Sequence, residues 1–214
     1  MLIISASNVM KTKERSQSFE IANYIKDRLK NNAIDSDVLD LRDYKLKPCV
    51  MCEKCVGSGK CVKKDDFNAV AAKIFKHRDI IVVCPHYAGV PSKVYMLLEK
   101  LQEISYLAYC AKSKNIPLLS GAKAVIVAHG GMTENYEALY KQNLIIPLGN
   151  ALKGMGMTVL NDAIEQPLCF GVKKYLTVRD KKSVCFAKEN DNQEMKRIVG
   201  LLVEAVKASH EVKK

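Results

Sequence analysis

Residues 79–84 read DIIVVC, a short apolar run that stands between Arg78 and Pro85. An apolar run without polar alternation is typical of a strand that is buried on both faces of a parallel sheet. Residues 123–128, KAVIVA, repeat the pattern. The two runs predict the central strands of an α/β fold whose sheet carries helices on both faces.

The segments around these runs alternate between strand and helix patterns. Three further strands are predicted, over residues 2–7, 37–41 and 158–163. Helices are predicted over residues 17–31, 66–76, 93–104 and 134–153 and around 195–206, with Asp65 capping the second and Pro147 bending the fourth. Five strands separated by helices imply an open, doubly wound parallel sheet, and we expect residues 1–214 to form one domain.

The composition and charge of the chain predict where the protein is located and which partners it binds. The chain has 214 residues and a net charge of +11, with no basic run among aromatic residues. This charge predicts a solvated cationic surface and no nucleic-acid partner. No apolar run approaches the roughly 20 residues that cross a bilayer, so no membrane partner is expected. The chain starts with a strand pattern and not with a signal segment, which predicts a cytoplasmic protein.

Three loops follow predicted strands, and ligands of such sheets bind at the carboxyl ends of the strands. The first loop, residues 5–18, is rich in hydroxyls and ends at a helix N-terminus. There Ser16, Gln17 and Ser18 offer donors to an anion. The alternative is that Ser16 or Ser18 only caps the helix. The loop carries neither a dinucleotide fingerprint nor a Walker A lysine.

The other two loops have the composition of a site for a flat ligand. Residues 85–92, PHYAGVPS, offer the rings of His86 and Tyr87 and a glycine that permits close backbone approach. Residues 129–132, HGGM, bring two glycines that suggest backbone packed against something flat. Together the three loops predict a site for a planar, phosphorylated ligand.

These loops resemble those of the NADPH-dependent FMN reductase group of flavodoxin-like proteins. The matching residues are Pro85, Tyr87, Gly89 and Pro91 with Leu98, Glu99 and Lys100, then Gly130 and Gly131, and Ser7 with the cluster Ser16, Gln17 and Ser18. The resemblance covers residues 1–163. It implies a five-stranded sheet of order 2-1-3-4-5 and an FMN site formed by Ser7, Ser16, Gln17, Ser18, Pro85, His86, Tyr87, Ala88, Gly89, His129, Gly130 and Gly131. The first loop is longer than the family's, and His86 stands where an apolar residue is usual.

Four of the eight cysteines fall within thirteen residues, in the segment 46–65 after the second predicted strand. They are Cys49, Cys52, Cys55 and Cys61, spaced C-x2-C-x2-C-x5-C. Three cysteines at this spacing are typical of ferredoxin-type clusters, whereas a structural zinc uses two knuckles well apart. Gly57 and Gly59 let the chain turn so that the fourth thiol can reach the last corner of a cubane. Zinc and unliganded thiols remain the alternatives.

The cysteine segment adds a second resemblance. The stretch GKCVKKDDF, residues 59–67, is similar to that of iron-sulfur flavoproteins of the same family. This resemblance implies an electron-transfer oxidoreductase that holds FMN and a [4Fe-4S] cluster. It also implies a homo-oligomer (dimer or tetramer) in which the cluster of one subunit approaches the flavin of another. The implied electron donor is NAD(P)H or ferredoxin. The basic surface suits an acidic partner such as a ferredoxin.

Two other functions remain possible interpretations of the sequence, and four cysteines lie outside the cysteine segment. One alternative is an NAD(P)H-dependent FMN or quinone reductase without a cluster, and another is a non-enzymatic metal- or nucleic-acid-binding protein. No catalytic side chain is assigned, because the cofactors carry redox chemistry. Cys84 and Cys110 are expected to be buried apolar residues. Cys169 and Cys185, in the irregular segment 165–190, have no assigned role.

Overall fold

A parallel β-sheet forms the framework of the chain in the computed structural model, which describes residues 1–8, 16–110, 118–131, 136–171 and 190–211. Its strands are β1 (Leu2–Ser5), β2 (Asp37–Asp40), β3 (Ile80–Pro85), β4 (Lys123–Gly130), β5 (Thr158–Val159) and β6 (Cys169–Gly171). The first five follow the order β2-β1-β3-β4-β5, and their neighbouring pairs are all parallel. The predicted fold class and the order of the five predicted strands are confirmed, and β6 adds a sixth strand to the predicted five.

The edge of the sheet beside β4 is built from two short strands. β5 pairs with the start of β4, where Thr158 lies opposite Lys123. β6 pairs with the last three residues of β4. Between the two strands, the side-chain amide of Asn161 accepts a hydrogen bond from the N–H of Ile126 and donates one to its carbonyl oxygen, both at 2.8 Å. One amide side chain thus replaces a strand where the edge is interrupted.

This edge corrects two predictions. The strand predicted over residues 158–163 is wrong beyond Val159, because a 3-10 helix (Leu160–Ala163) follows it. The irregular segment predicted over residues 165–190 contributes β6 to the sheet. Residues 172–189 of that segment lie outside the described residues.

Helices cover both faces of the sheet. They are α1 (Gln17–Lys30), α2 (Phe67–His77), α3 (Ser92–Cys110), α4 (Tyr136–Tyr140), α5 (Ile146–Gly154) and α6 (Asn190–Glu211). On one face, Ile25 of α1 shares a buried apolar cluster with Ile81 of β3. On the other face, Leu98 of α3 shares a second cluster with Val82. In the part of the chain that the structure describes, no helix has both the length and the apolar character to cross a membrane.

Helix α2 begins one residue later than predicted. Asp66 occupies its cap position, but the Asp66 side chain makes no capping hydrogen bond. The Asp65 carboxylate instead accepts a hydrogen bond from the N–H of Phe67 at 3.3 Å. The predicted capping residue is therefore wrong in position, although its carboxylate does meet the first N–H of the helix.

The helix predicted over residues 134–153 has an interruption. α4 passes into a π-helical turn (Lys141–Ile145) and then into α5, which has Pro147 in its first turn. A proline offers no N–H to the carbonyl of Asn143, four residues earlier, and the wider turn accommodates the missing bond. Pro147 thus disturbs the helix through a change of hydrogen-bond pattern.

Two of the three described cysteines outside the cysteine segment are buried. Cys84, in β3, is fully buried, as predicted. Cys110 is exposed, so its predicted burial is wrong: it is the last residue of α3, where the helix ends at the surface. Cys169 is buried as part of β6 and behaves as a small apolar residue of the sheet. Cys185 lies outside the described residues.

Candidate functional site

The loops that follow β1 and β3 contact each other at the carboxyl edge of the sheet, beside the end of β4. The hydroxyls of Ser7 and Tyr87 lie 3.3 Å apart. Asn8 donates through its amide nitrogen to the hydroxyl of Ser92 at 3.1 Å. The structure therefore brings together the predicted residues Ser7 and Tyr87 and adds Asn8, which the sequence did not single out. Residues 9–15 of the first loop lie outside the described residues.

The N-terminus of α1 is ordered by its own hydroxyls. Ser16 is the cap residue, and its hydroxyl accepts a hydrogen bond from the N–H of Phe19 at 3.3 Å. This is the capping role that the sequence left as an alternative. The first N–H groups of a helix precede the first intrahelical hydrogen bond, so Gln17 and Ser18 can offer backbone donors to an anion.

His129 joins three elements inside the protein. Its Nε2 lies 2.8 Å from the hydroxyl of Ser18, and its ring stacks on Phe170 with centroids 6.1 Å apart. The residue is 4% exposed. Complete burial lowers the pKa of His129 from 6.5 to about 4, so the ring is neutral at pH 7. A contact between His129 and a cofactor therefore depends on its backbone, because its side chain links β4 to α1 and β6.

The low pKa of His129 predicts an acid-labile fold. The unfolded chain binds the proton near pH 6.5 and the folded chain only near pH 4, so stability falls as the pH drops through this window. We expect the free energy of unfolding to decrease by about 2 kcal/mol between pH 7 and pH 5. Urea titrations at pH 7 and pH 5 measure this change in the free energy of unfolding. His129→Gln should reduce this dependence to the part that comes from His86, whose pKa burial also lowers, and His210→Gln, at an exposed position, should keep all of it. Equal slopes in all three proteins would contradict the assignment.

The flat group packed against Gly130 is a tyrosine of α4. An added Cβ on Gly130 would lie 2.3 Å from the hydroxyl of Tyr140. Tyr140 is fully buried and stacks on the ring of His86, with centroids 4.8 Å apart and 27° between the planes. The backbone N–H of His86 donates to the carbonyl of His129 at 2.7 Å. The sequence signalled the close approach through the glycine but not the identity of Tyr140.

His86 carries a buried nitrogen at this edge. Its Nε2 has no hydrogen-bond partner among the residues that the structure describes. Burial lowers the pKa of the imidazole below its usual 6.5. A neutral imidazole with an unpaired nitrogen is suited to a hydrogen bond with a bound ligand.

The remaining loop residues differ in exposure. Pro85 is buried at the end of β3, whereas Tyr87, Ala88 and Gly131 are exposed. Gly89 has a φ of +112°, and an added Cβ would lie 3.1 Å from the carbonyl oxygen of Asn143 in the π turn. The backbone of Gly89 therefore lies close to the carbonyl of Asn143, an atom of the protein itself, and its predicted approach to a flat ligand stays a prediction.

The four clustered cysteines line one recess at the surface of the protein. Lys100, Glu103 and Ile104 of α3 form the opposite wall. Cys52 is exposed, and the other three are partly buried. Within the described residues, no group of three or more His, Cys, Asp or Glu side chains is already arranged around a metal position. The structure thus brings the predicted residues to one place without assembling a closed site for a single ion.

The backbone around these thiols is unusual. Met51 and Glu53, on either side of Cys52, have φ values of +50° and +56°. A left-handed conformation costs a non-glycine residue roughly 1–2 kcal/mol. Gly57 and Gly59 adopt φ values of +74° and +62° at no such cost, which confirms that the chain turns there. Strain of this kind is concentrated at functional sites.

Side chains of α2 and α3 hold both ends of the cysteine segment. The carboxylate of Glu99 accepts a hydrogen bond from the N–H of Cys49 at 3.2 Å. The amide of Asn68 accepts from the N–H of Cys61 at 3.0 Å and donates to its carbonyl at 2.7 Å. The first and last cysteines are thereby attached to rigid elements.

Cys55 is protonated in the absence of a ligand. Burial, together with the nearby charge of Glu103 and of the Cys61 and Cys49 thiols, raises the pKa of Cys55, although a hydrogen bond to its own backbone works against this. A metal or cluster would have to displace the proton.

An open parallel sheet of the order β2-β1-β3-β4-β5, with helices on both faces, defines the flavodoxin-like class. A solved structure of RosB with a bound riboflavin-phosphate intermediate has a TM-score of 0.64 to this chain at 13% identity, covering 98% of this chain and 79% of that one. At this identity the likeness shows the fold alone.

The family model for NADPH-dependent FMN reductases matches residues 1–166. The chain therefore belongs to the NADPH-dependent FMN reductase family, a family of flavin-dependent oxidoreductases, and the predicted family is confirmed.

Two curated relatives carry the name iron-sulfur flavoprotein. The one from Methanocaldococcus jannaschii is 28% identical over 102 residues, 47% of this chain and 50% of that protein. The one from Archaeoglobus fulgidus is 24% identical over 147 residues, 69% of this chain and 67% of that protein. The chain thus spans half the length of the first relative.

Proposed function

We propose that this chain is an electron-transfer iron-sulfur flavoprotein, which holds FMN at the carboxyl edge of the sheet and a [4Fe-4S] cluster on Cys49, Cys52, Cys55 and Cys61. One observation carries the cluster: four cysteines spaced C-x2-C-x2-C-x5-C line a single recess against α3. The names of the two curated relatives agree with it. When bound, FMN exchanges one or two electrons and the cluster exchanges one.

The residues of the cysteine segment fit a cluster better than a single ion. A cubane spreads four thiolates around a large object, whereas zinc draws four ligands to within about 2.3 Å of one point. The four cysteines surround an open recess and are not already gathered at one point. The left-handed backbone at Met51 and Glu53 turns the chain on either side of Cys52.

The chain's own residues orient the flavin. The backbone donors of Gln17 and Ser18, with the hydroxyl of Ser7, would hold the phosphate. The ring would contact residues of the other two segments, which are Pro85, His86, Tyr87, Ala88 and Gly89 and the backbone of His129, Gly130 and Gly131. The unpaired Nε2 of His86 supports a hydrogen bond to a polar atom of the ring.

A reductase without a cluster is the second candidate. In it NAD(P)H reduces FMN, which then reduces a free flavin or a quinone, and the cysteines remain thiols. The family model, which describes NADPH-dependent FMN reductases, supports this reading. Family membership weighs against a non-enzymatic metal-binding protein.

Apolar side chains around the recess support a homo-oligomer. Val50, Met51, Val56 and Val62 are 52%, 68%, 49% and 53% exposed. Large apolar residues in a local group usually mark an interaction surface. The net charge of +11 supports an acidic electron-transfer partner such as a ferredoxin.

Cofactor analysis after anaerobic purification tests the proposal. We expect about four irons, four acid-labile sulfides and one FMN per chain. FMN without iron or sulfide, after anaerobic reconstitution as well, would leave the reductase without a cluster. One zinc per chain would make the cysteine segment a structural site, and no FMN would remove the flavin proposal.

A further inference from the structure

Two carboxylates of α3 face the cysteine segment. The carboxylate of Glu99 accepts a hydrogen bond from the backbone N–H of Cys49 at 3.2 Å, which places this charge beside the first thiol-bearing residue. Glu103 follows four residues later, on the same face of the helix, and it lines the recess together with the four cysteines. Its negative charge acts on the thiol of Cys55 and contributes to the raised pKa of that group.

Neither carboxylate is neutralised by a bonded cation. In the part of the chain that the structure describes, no ion pair joins Glu99 or Glu103 to a lysine, an arginine or a histidine. Lys100 also lines the recess, but its ammonium is paired with Asp65, so the two charges of that pair offset each other. Replacing either glutamate by glutamine therefore removes a negative charge that no bonded cation cancels.

The two carboxylates differ in their exposure to water. Glu103 is partly buried, whereas Glu99 is exposed, and so are the lysines Lys54, Lys60 and Lys64 of the cysteine segment. Water and dissolved salt screen exposed charges strongly and partly buried charges less. The charge of Glu103 should therefore act on the recess more strongly than the charge of Glu99 or of the three exposed lysines.

We propose that Glu99 and Glu103 lower the reduction potential of the cluster by holding negative charge beside it. The inference rests on the proposed function. A cluster with four thiolate ligands is negative and becomes more negative when it takes up an electron, so a nearby carboxylate destabilises the reduced state more than the oxidised state. The two side chains thereby make the reduced cluster a stronger one-electron donor.

Redox titration of the cluster, followed by electron paramagnetic resonance in the anaerobic holoprotein, tests the inference. We compare the unchanged protein with Glu103→Gln, Glu99→Gln and the double variant. Glutamine keeps the shape of the side chain, and at position 99 it keeps an oxygen that can accept from the N–H of Cys49. The equilibrium constant for reduction should rise about tenfold in the double variant, a higher potential of about 59 mV. Glu103→Gln should give most of this shift, and the shift of Glu99→Gln should fade at high salt.

Two control variants separate charge from other effects. Glu103→Asp keeps the charge and should keep most of the low potential. Glu211→Gln removes an exposed carboxylate at the end of α6 and should leave the potential unchanged, because α6 packs on the opposite face of the sheet from the cysteine segment.

The outcomes of the titration are distinguishable. An unchanged or lower potential in the double variant, with full iron content, would overturn the inference alone. Loss of the cluster from Glu103→Gln would also overturn it, since the carboxylate would then be needed to hold the cluster. No cluster signal in the unchanged protein would overturn the proposed function and this inference with it.

Discussion

Cys61→Ala should lose its iron and sulfide and keep its FMN. Cys61 is the isolated fourth thiol of the recess, and the Asn68 amide holds its backbone independently of its side chain. Alanine therefore removes one ligand without releasing the segment from α2. A cubane with three of its four thiolates is expected to be lost during aerobic handling. Iron, sulfide and FMN per chain, measured anaerobically and after exposure to air, give the result.

Cys110→Ala is the matched control for this prediction. Cys110 is exposed at the end of α3 and does not line the recess, so its substitution should leave iron, sulfide and FMN unchanged. Full iron and sulfide in Cys61→Ala would exclude Cys61 as a ligand. Loss of FMN along with the iron would mean that the two proposed sites are not independent.

Gly130→Ala should destabilise the protein strongly. The new Cβ would lie 2.3 Å from the hydroxyl oxygen of Tyr140 and 2.9 Å from its Cζ. Tyr140 is fully buried and stacked on His86, so its ring cannot move aside without disturbing the core. Overpacking of this kind costs about 2–3 kcal/mol. Urea unfolding measures the loss, and a fluorescence titration should show weaker FMN binding.

Two variants test the reason for that loss. Gly200→Ala, in α6, places its Cβ where no atom lies within 4 Å, and it should stabilise the helix by about 0.5–1 kcal/mol. Combining Gly130→Ala with Tyr140→Phe removes the hydroxyl and should restore part of the stability. Unchanged stability in Gly130→Ala would contradict the packing of Tyr140 against this glycine.

Short-range patterns predicted most of the framework. The apolar runs at residues 79–84 and 123–128 became the central strands β3 and β4, because a strand buried on both faces needs apolar side chains at successive positions. The cysteine spacing predicted that four thiols would share one place. The glycine-rich loops predicted close approaches at Gly89 and Gly130.

Predictions failed where the deciding contact joins distant parts of the chain. The strand expected over residues 158–163 stops at Val159, and Asn161 instead binds Ile126, 35 residues earlier. The pattern of apolar residues within 158–163 does not predict a hydrogen bond to so distant a residue. Cys110 was expected to be buried because its neighbours are apolar, yet its exposure depends on where α3 leaves the core.

By itself the sequence determined the sheet with its helices, the family and the segment that carries the thiols, because these follow from periodicity, spacing and motif. Only the tertiary structure decided which side chains pack around the two proposed cofactor sites. It placed Tyr140 over Gly130, turned His129 inward to Ser18, and set the Lys100–Asp65 pair behind the cysteines. Each of these contacts joins residues from different elements of the fold, and only packing in three dimensions selects such partners.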